Sequence, residues 1–500
     1  MNEKYTQNWY NIKTNMHHNT SKKNEIIRLS IVYTIMVASV LIIVAFISLF
    51  MLGYRFDNDG KIEQYGLLQF SSSPAGASVS IDGNTVGTNT PTKKTVEAGS
   101  HNVVMWRNGY ESWNKTVDVK SGTIVWLNYA LMVPTKLKVE SVASFAAVSG
   151  STASPKGGYM LIQAAANSSV FDLVDISADT IKTEKIEIPA NIISQASFAG
   201  VSHSYTVTKW DDGERYVLIK HTFADQFEWL LLDTQDADAS KNITTQIGLD
   251  ISDVDFFGTN GRSFYVLHNK ELKKINLSNN SISRTVASNV LSYRLYNKSS
   301  VITFVALNPD NNSEVIAGIF RDGDSRFYNL RSSTNQALMI SAAHYFNVDY
   351  VAIADGAKVD ILSGSFPSVD RDSTTSLKLL KSFTLDKNIG QLSFSPSGQY
   401  VFMQTNNLFT SYNLEYEKLA NSSFSTESNN VRIEWINDNY IWSDTDGRLT
   451  IREFDGQNAH LISKIQPSQD AVLTRNGRFI YSIDKTTAGY QLQRVRMILP

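Results

Sequence analysis

The stretch Gln391–Leu419, QLSFSPSGQYVFMQTNNLFTSYNLEYEKL, limits the fold of this 500-residue chain more than any other feature. Leu392 and Phe394 alternate on a first strand, and Ser395-Pro396-Ser397-Gly398 turns the chain. Tyr400–Gln404 supplies a second strand, Thr405-Asn406-Asn407 a second turn, and Leu408–Leu414 a third strand. Glu415-Tyr416-Glu417 leads into a short fourth. Four strands in about 40 residues is the size of one propeller blade. The step from turn to strand recurs as SPKGGYMLIQ at 154–163, WDDGERYVLI at 210–219, TNGRSFYVL at 259–267 and TRNGRFIYSI at 474–483. Innermost strands are expected to begin near residues 142, 194, 252, 290, 338, 391, 432 and 471. That spacing gives eight blades, with seven left open because residues 289–385 are weakly patterned. Thr135–Val142 is expected to complete the last blade, since closing a ring removes exposed sheet edges. A pair of β-sandwiches is the alternative for the same residues.

Upstream, Leu29–Leu52 is a run of 24 residues without a charge. At ~1.5 Å per helical residue it reaches roughly 36 Å, enough to cross a bilayer with some tilt. A cleaved signal sequence would have a shorter apolar core followed by a small-x-small site, whereas this run ends in Met-Leu-Gly-Tyr-Arg. The expected organisation is therefore a cytoplasmic tail at 1–28 and a transmembrane signal-anchor helix at 29–53. The tail carries five basic residues against two acidic ones, while the fifteen residues after the run carry only two basic residues, Arg55 and Lys61. Positive charge stays inside, which places the C-terminal domains outside the cell membrane on a single-pass protein.

Between anchor and repeats, Ala77, Val79 and Ile81 alternate with Ser78, Ser80 and Asp82, and Asp82-Gly83 turns the strand back. Strands are expected at His101–Arg107, Lys115–Lys120 and Thr123–Leu131, making a small antiparallel sandwich over 66–134. The series Pro74, Gly76, Ala77, Asp82, Gly83, Gly87, Pro91, Gly99, His101, Gly109 and Tyr110 resembles a PEGA domain. Ala75 stands where the name-giving motif has Glu. The resemblance implies a non-catalytic β module of the kind common in prokaryotic envelope proteins. Trp106, Trp113 and Trp126 could form an aromatic surface for carbohydrate, although rings on a small sandwich more often fill its core. The blade turns resemble those of TolB-like and WD40-like propellers, without a true Trp-Asp signature. The expected fold class is all-β: a transmembrane helix, a PEGA-type sandwich, then a seven- or eight-bladed β-propeller over 135–500.

No catalytic motif accompanies this architecture. The chain lacks a Gly-x-Ser-x-Gly elbow, a phosphate loop and a His-Glu-x-x-His pair. It has no Cys, which excludes disulfides, thiol catalysis and Cys-based zinc sites. With 46 Lys and Arg against 48 Asp and Glu, no basic field exists to hold nucleic acid. His101, His203, His221, His268, His344 and His460 are scattered across the proposed modules, so no metal site is assigned. Asp444-Thr445-Asp446-Gly447 lacks the later Glu of a calcium loop and reads as a hairpin turn. Asp211-Asp212-Gly213 and Asp322-Gly323-Asp324 read the same way. The expectation is a binding or scaffold protein of the cell envelope, with no cofactor and no catalytic residue, whose partners are proteins or cell-wall glycan. The alternative is an extracytoplasmic glycan hydrolase or lyase, which Asp, Glu, His or Arg converging at the channel mouth would favour.

Overall fold

The computed structural model describes the chain apart from residues 1–3, 52–53, 57–61, 195–199, 297, 299, 325, 369–375 and 425–430. Two compact units divide it, residues 1–132 and 133–500. The first begins with a helix, α1 (Lys4–Met51), in which Ile26–Met51 is long and apolar enough to cross a membrane. Apart from Arg28 this span carries no charge, and all of it is exposed. Thr34 and Ser39 donate their hydroxyls back to the carbonyls of Ser30 and Met36, at 2.8 and 2.9 Å.

The same unit holds a sandwich of two four-stranded sheets. One contains Tyr54–Phe56, Ile62–Ser73 and Thr92–Glu97, with Ile124–Leu131 running parallel to Ile62–Ser73. The other contains Asn84–Thr85, Ser78–Ile81, Gly99–Trp106 and Trp113–Val119. Ala77, Val79 and Ile81 are buried, as their alternation predicts, and so are Phe70, Met105 and Leu127. Trp113 is 1% exposed, edge-on to Tyr129, and belongs to this core. Trp106 and Trp126 are half-exposed but lie on different sheets, so the three tryptophans make no common surface.

A carboxylate–imidazole clamp ties the first hairpin to the central strand. His101 Nδ1 meets Asp82 Oδ2 at 2.6 Å and its Nε2 meets the Glu97 carbonyl at 2.8 Å, while Asp82 Oδ1 accepts the Asn102 N–H. Partial burial pulls the His101 pKa down, but the bonds to Asp82 and Glu97 outweigh it and leave it raised. The His101 bond holds Asp82 below the usual carboxylate range. A raised His pKa stabilises fully below the unfolded value of about 6.5 and is lost as pH climbs through the folded value. A lowered Asp pKa stabilises above about 3.9 and is lost as pH falls through the folded value. The clamp should therefore be strongest between about pH 4 and 6.5. NMR titration of histidine-labelled protein, with His101→Gln identifying the signal, should show His101 titrating above 6.5. A midpoint at or below that value excludes the clamp.

In the second unit the described residues form eight four-stranded sheets. Seven are built from consecutive strands, such as Gln391–Phe394, Tyr400–Thr405, Leu408–Asn413 and Lys418–Ser423 in blade 6. The eighth takes Val472–Leu473, Phe479–Thr486 and Gly489–Arg496 and borrows its outermost strand, Val139–Phe145, from the start of the unit. The result is an eight-bladed β-propeller. Innermost strands begin at 253, 290, 339, 391, 433 and 472, within a residue of expectation. Two differ. The first blade begins at Gly150, not near 142, because Val142 belongs to the closing strand. The second begins at His203, while the position near 194 adjoins residues 195–199, outside the described residues.

Blade stacking explains why second strands are continuously apolar rather than alternating. In Tyr159–Gln163, Met160 and Ile162 face a cluster shared with blade 8, while Leu161 faces one shared with blade 2. Likewise Val217 and Ile219 face blade 1 and Leu218 faces blade 3. Both faces of each sheet are dry, so each needs its own apolar row.

One turn device recurs between first and second strands. Ser154, Ser395 and Thr474 accept, on their hydroxyls, the N–H five residues on, and a left-handed glycine follows at Gly157, Gly398 and Gly477. A side chain on Gly157 would lie 2.3 Å from the Leu473 carbonyl of blade 8, so this place also lets neighbouring blades approach. In blade 2, Asp211 takes the hydroxyl's part, accepting from Tyr216 N at 2.7 Å. The residue in the glycine's place there is Glu214, at φ 59°.

Candidate functional site

Each blade runs antiparallel internally, so its first-to-second turn lies at one end of the central channel. Its second-to-third turn and the connection to the next blade lie at the other. Inner strands line the space between, and cavities open at both ends.

The larger cavity, about 930 Å³, opens beside the second-to-third turn Asp444–Gly447 of blade 7 and the connection Pro467–Asp470 into blade 8. Asp444-Thr445-Asp446-Gly447 is a hairpin turn between Tyr440–Ser443 and Arg448–Glu453, as its residues suggested. Arg432 projects here beside the innermost strand of blade 7. It donates to Glu434 at 2.7 Å, to the Gln469 carbonyl at 3.1 Å and to Asp470, while lying over the Trp442 ring. Asp470 in turn accepts the Ala153 N–H of blade 1, and its own N–H donates to Ser151. The triad thus joins blades 7, 8 and 1 and carries the charge of the mouth.

Glu434 differs from an ordinary surface carboxylate. The protein walls around Glu434 raise its pKa, Asp470 and Asp444 push the same way, and Arg432 only partly opposes them. Arg432 remains charged because Asp470 and Glu434 outweigh its own desolvation. Hydroxyls of Ser149, Ser151, Thr152, Thr206 and Thr208 complete a polar wall. Acidic and basic side chains do converge at the channel mouth, the arrangement named above as favouring catalysis. The convergence joins Arg432 to Asp470, 38 residues apart, and no local motif announces it.

A second polar group lies in blade 2. His203 and His221, read from the sequence as scattered, stand on paired strands with their rings 2° from parallel. His203 Nδ1 and His221 Nε2 are 2.9 Å apart, and His221 Nδ1 donates to Glu228 at 2.8 Å. Ser194 N and Asn242 Nδ2 also donate to Glu228, at 3.0 and 2.6 Å. Burial works to raise the Glu228 pKa, but these three bonds prevail and hold it below the usual value. Among the described residues no group of three or more His, Asp and Glu is arranged to hold a metal ion.

The residues of the sandwich motif sit at its turns. Gly76, Gly83, Gly87, Gly99 and Gly109 all have positive φ, and Pro74 and Pro91 follow cis bonds. Tyr110 is buried, and Asp82 and His101 form the clamp. These positions build the turns and core of the module.

A family model of the PEGA domain matches residues 65–134. No curated protein sequence matches the chain. Among solved structures, the Dihydro-heme d1 dehydrogenase NirN is 13% identical with a TM-score of 0.40, covering 64% of this chain and 67% of its own. Hsv2 of Kluyveromyces lactis is 11% identical with a TM-score of 0.36, covering 70% of this chain and 99% of its own. Oligogalacturonate lyase from Vibrio parahaemolyticus is 10% identical with a TM-score of 0.35, covering 66% and 97%.

Proposed function

We propose that this is a membrane-anchored binding protein of a prokaryotic cell envelope, which presents a PEGA domain and an eight-bladed propeller outside the cell. The anchor reading is supported by Ile26–Met51, whose apolar side chains face outward on all sides and would be unfavourable in water. Basic residues on its N-terminal flank favour an inside tail. Protease added to intact cells or spheroplasts should degrade residues 54–500. Full protection of that part overturns the exterior assignment.

The observation that carries the binding function is the 930 Å³ polar cavity. Arg432 is committed to two carboxylates, which leaves hydroxyls and carboxyl edges to meet a ligand by hydrogen bonds. Hydroxyl-rich walls of this size suit a segment of glycan. Arg432→Gln should weaken binding of soluble cell-wall fragments at least tenfold, because it frees Glu434 and Asp470 to repel each other. Unchanged affinity would remove this mouth from the function.

One observation favours the catalytic alternative, a glycan hydrolase or lyase. Glu434, with its pKa raised beside Asp470 and Asp444, has the character of a proton donor. Glu434→Gln separates the two readings: a binding site keeps its affinity and shows no turnover in either form, whereas an enzyme keeps affinity and loses measurable turnover.

A further inference from the structure

We propose that the opposite end of the channel, around Arg294, binds an oxyanion, carboxylate or phosphate, carried on a small polyhydroxylated molecule. This site is separate from the Arg432 mouth and does not depend on what binds there. It is a cavity of about 760 Å³ lined by the inner strands of blades 2 to 6, and it opens beside the first-to-second turns that hold Lys298 and Pro396.

Arg294 stands on the innermost strand of blade 4 and lines this cavity. Its carbonyl takes the Thr303 hydroxyl at 3.4 Å, but its guanidinium has no hydrogen bond or ion pair among the described residues. Four other arginines of the ring are held by carboxylates, Arg215 by Asp233, Arg331 by Asp360, Arg432 by Asp470 and Arg494 by Glu140, whereas Arg294 lines a cavity without one. Neighbouring charges do not answer Arg294 either. Asp255 holds Lys209 at 2.5 Å, and Asp253 accepts the Val254 N–H at 3.0 Å. Lys298 adds a second cation at the rim, donating to the Pro396 carbonyl at 3.2 Å.

The remaining wall also lacks partners for its donors. Ser341 and Ser393, on the inner strands of blades 5 and 6, make no side-chain hydrogen bond among the described residues. Tyr296 accepts the His344 N–H at 3.0 Å and keeps its own hydroxyl hydrogen to give. A cavity with five guanidinium N–H groups and several hydroxyls calls for a ligand rich in acceptors. Arginine satisfies carboxylate and phosphate best, through two parallel bonds. The volume far exceeds that of a bare anion, and free hydroxyls, which both give and accept, match hydroxyls on the rest of the ligand.

Titration of the full-length protein in detergent with glycerol 3-phosphate and with glucuronate tests this, with glycerol and glucose as uncharged controls. At least one anion should bind saturably and more weakly as salt rises, and the controls should not bind. Arg294→Gln should weaken that binding about ten- to a hundredfold with the thermal midpoint unchanged, and Arg294→Lys should lose less. Arg432→Gln should leave it intact. The tighter of the two anions identifies the oxyanion. The proposal is overturned if neither anion binds, if Arg294→Gln or an uncharged control binds equally well, or if Arg432→Gln abolishes binding. Tighter binding of an acidic peptide such as tetra-aspartate overturns it as well.

Discussion

Glu214→Ala is expected to destabilise the propeller by about 3 kcal/mol, the loss of several charge-assisted bonds from a buried carboxylate. Glu214 is 5% exposed and ties three blades together. It accepts the Ser154 hydroxyl at 2.6 Å and the N–H groups of Lys156 and Gly158 in blade 1. From blade 8 it takes Arg475 at 2.5 Å. Arg475 is 66% exposed, so most of the effect comes from the blade 1 bonds. At ~2.1 cal/mol/K per residue, the unfolding entropy of this unit converts the loss into a fall in Tm of roughly 4 °C. Glu214→Gly should cost about 1 kcal/mol less, because glycine relieves the left-handed backbone. Equal midpoints for the two variants would mean that Glu214 carries no backbone strain.

Glu228→Ala should cost more, about 4 kcal/mol. His221 is fully buried behind it, and the alanine leaves His221 Nδ1, the Asn242 amide and the Ser194 N–H without their acceptor. Glu228→Gln keeps one acceptor oxygen and should lose about half as much. The pH dependence follows from the lowered Glu228 pKa. Its contribution is present above the unfolded value of about 4.3 and disappears as pH falls through the folded value. Urea midpoints between pH 3 and 7 should converge for wild type and Glu228→Gln at the acid end. A constant gap would assign the stabilisation to packing alone.

Much of the ring can be read from the sequence because its turns need particular chemistry. Ser395-Pro396-Ser397-Gly398 and Thr474-Arg475-Asn476-Gly477 announce themselves by a hydroxyl followed three places later by glycine. Blade 2 keeps the turn signal in Asp211-Asp212-Gly213 but hides the hydroxyl and the left-handed glycine behind Asp211 and Glu214. Blade starts were misplaced where apolar residues serve other ends. Ile192 and Ile193 look like strand residues but plug the core between blades 1 and 2. Val142, Ala143 and Phe145 pack on the cluster between blades 8 and 1, and a closing strand has the same pattern as an opening one. The channel groups are not legible, because the ring's curvature alone brings Arg432 to Asp470 at one end and sets Arg294 and Ser393 around one cavity at the other. His203 and His221 carried a fainter signal: they lie 18 residues apart across one hairpin, which a strand register would have brought together.

The strand Val139–Phe145, described as the closure of the last sheet, also sets an order of events during synthesis. More than 340 residues separate it from its partner Gly489–Arg496. At ~5–20 residues per second it waits roughly 20–70 s before that partner exists. Throughout that time a bare strand edge stands at the start of a nascent ring. The strand carries Glu140, which later holds Arg494, so the waiting edge bears a charge that discourages pairing with another copy of itself. The strand Gly489–Arg496 is thus the one whose synthesis lets seven stacked sheets become a closed ring.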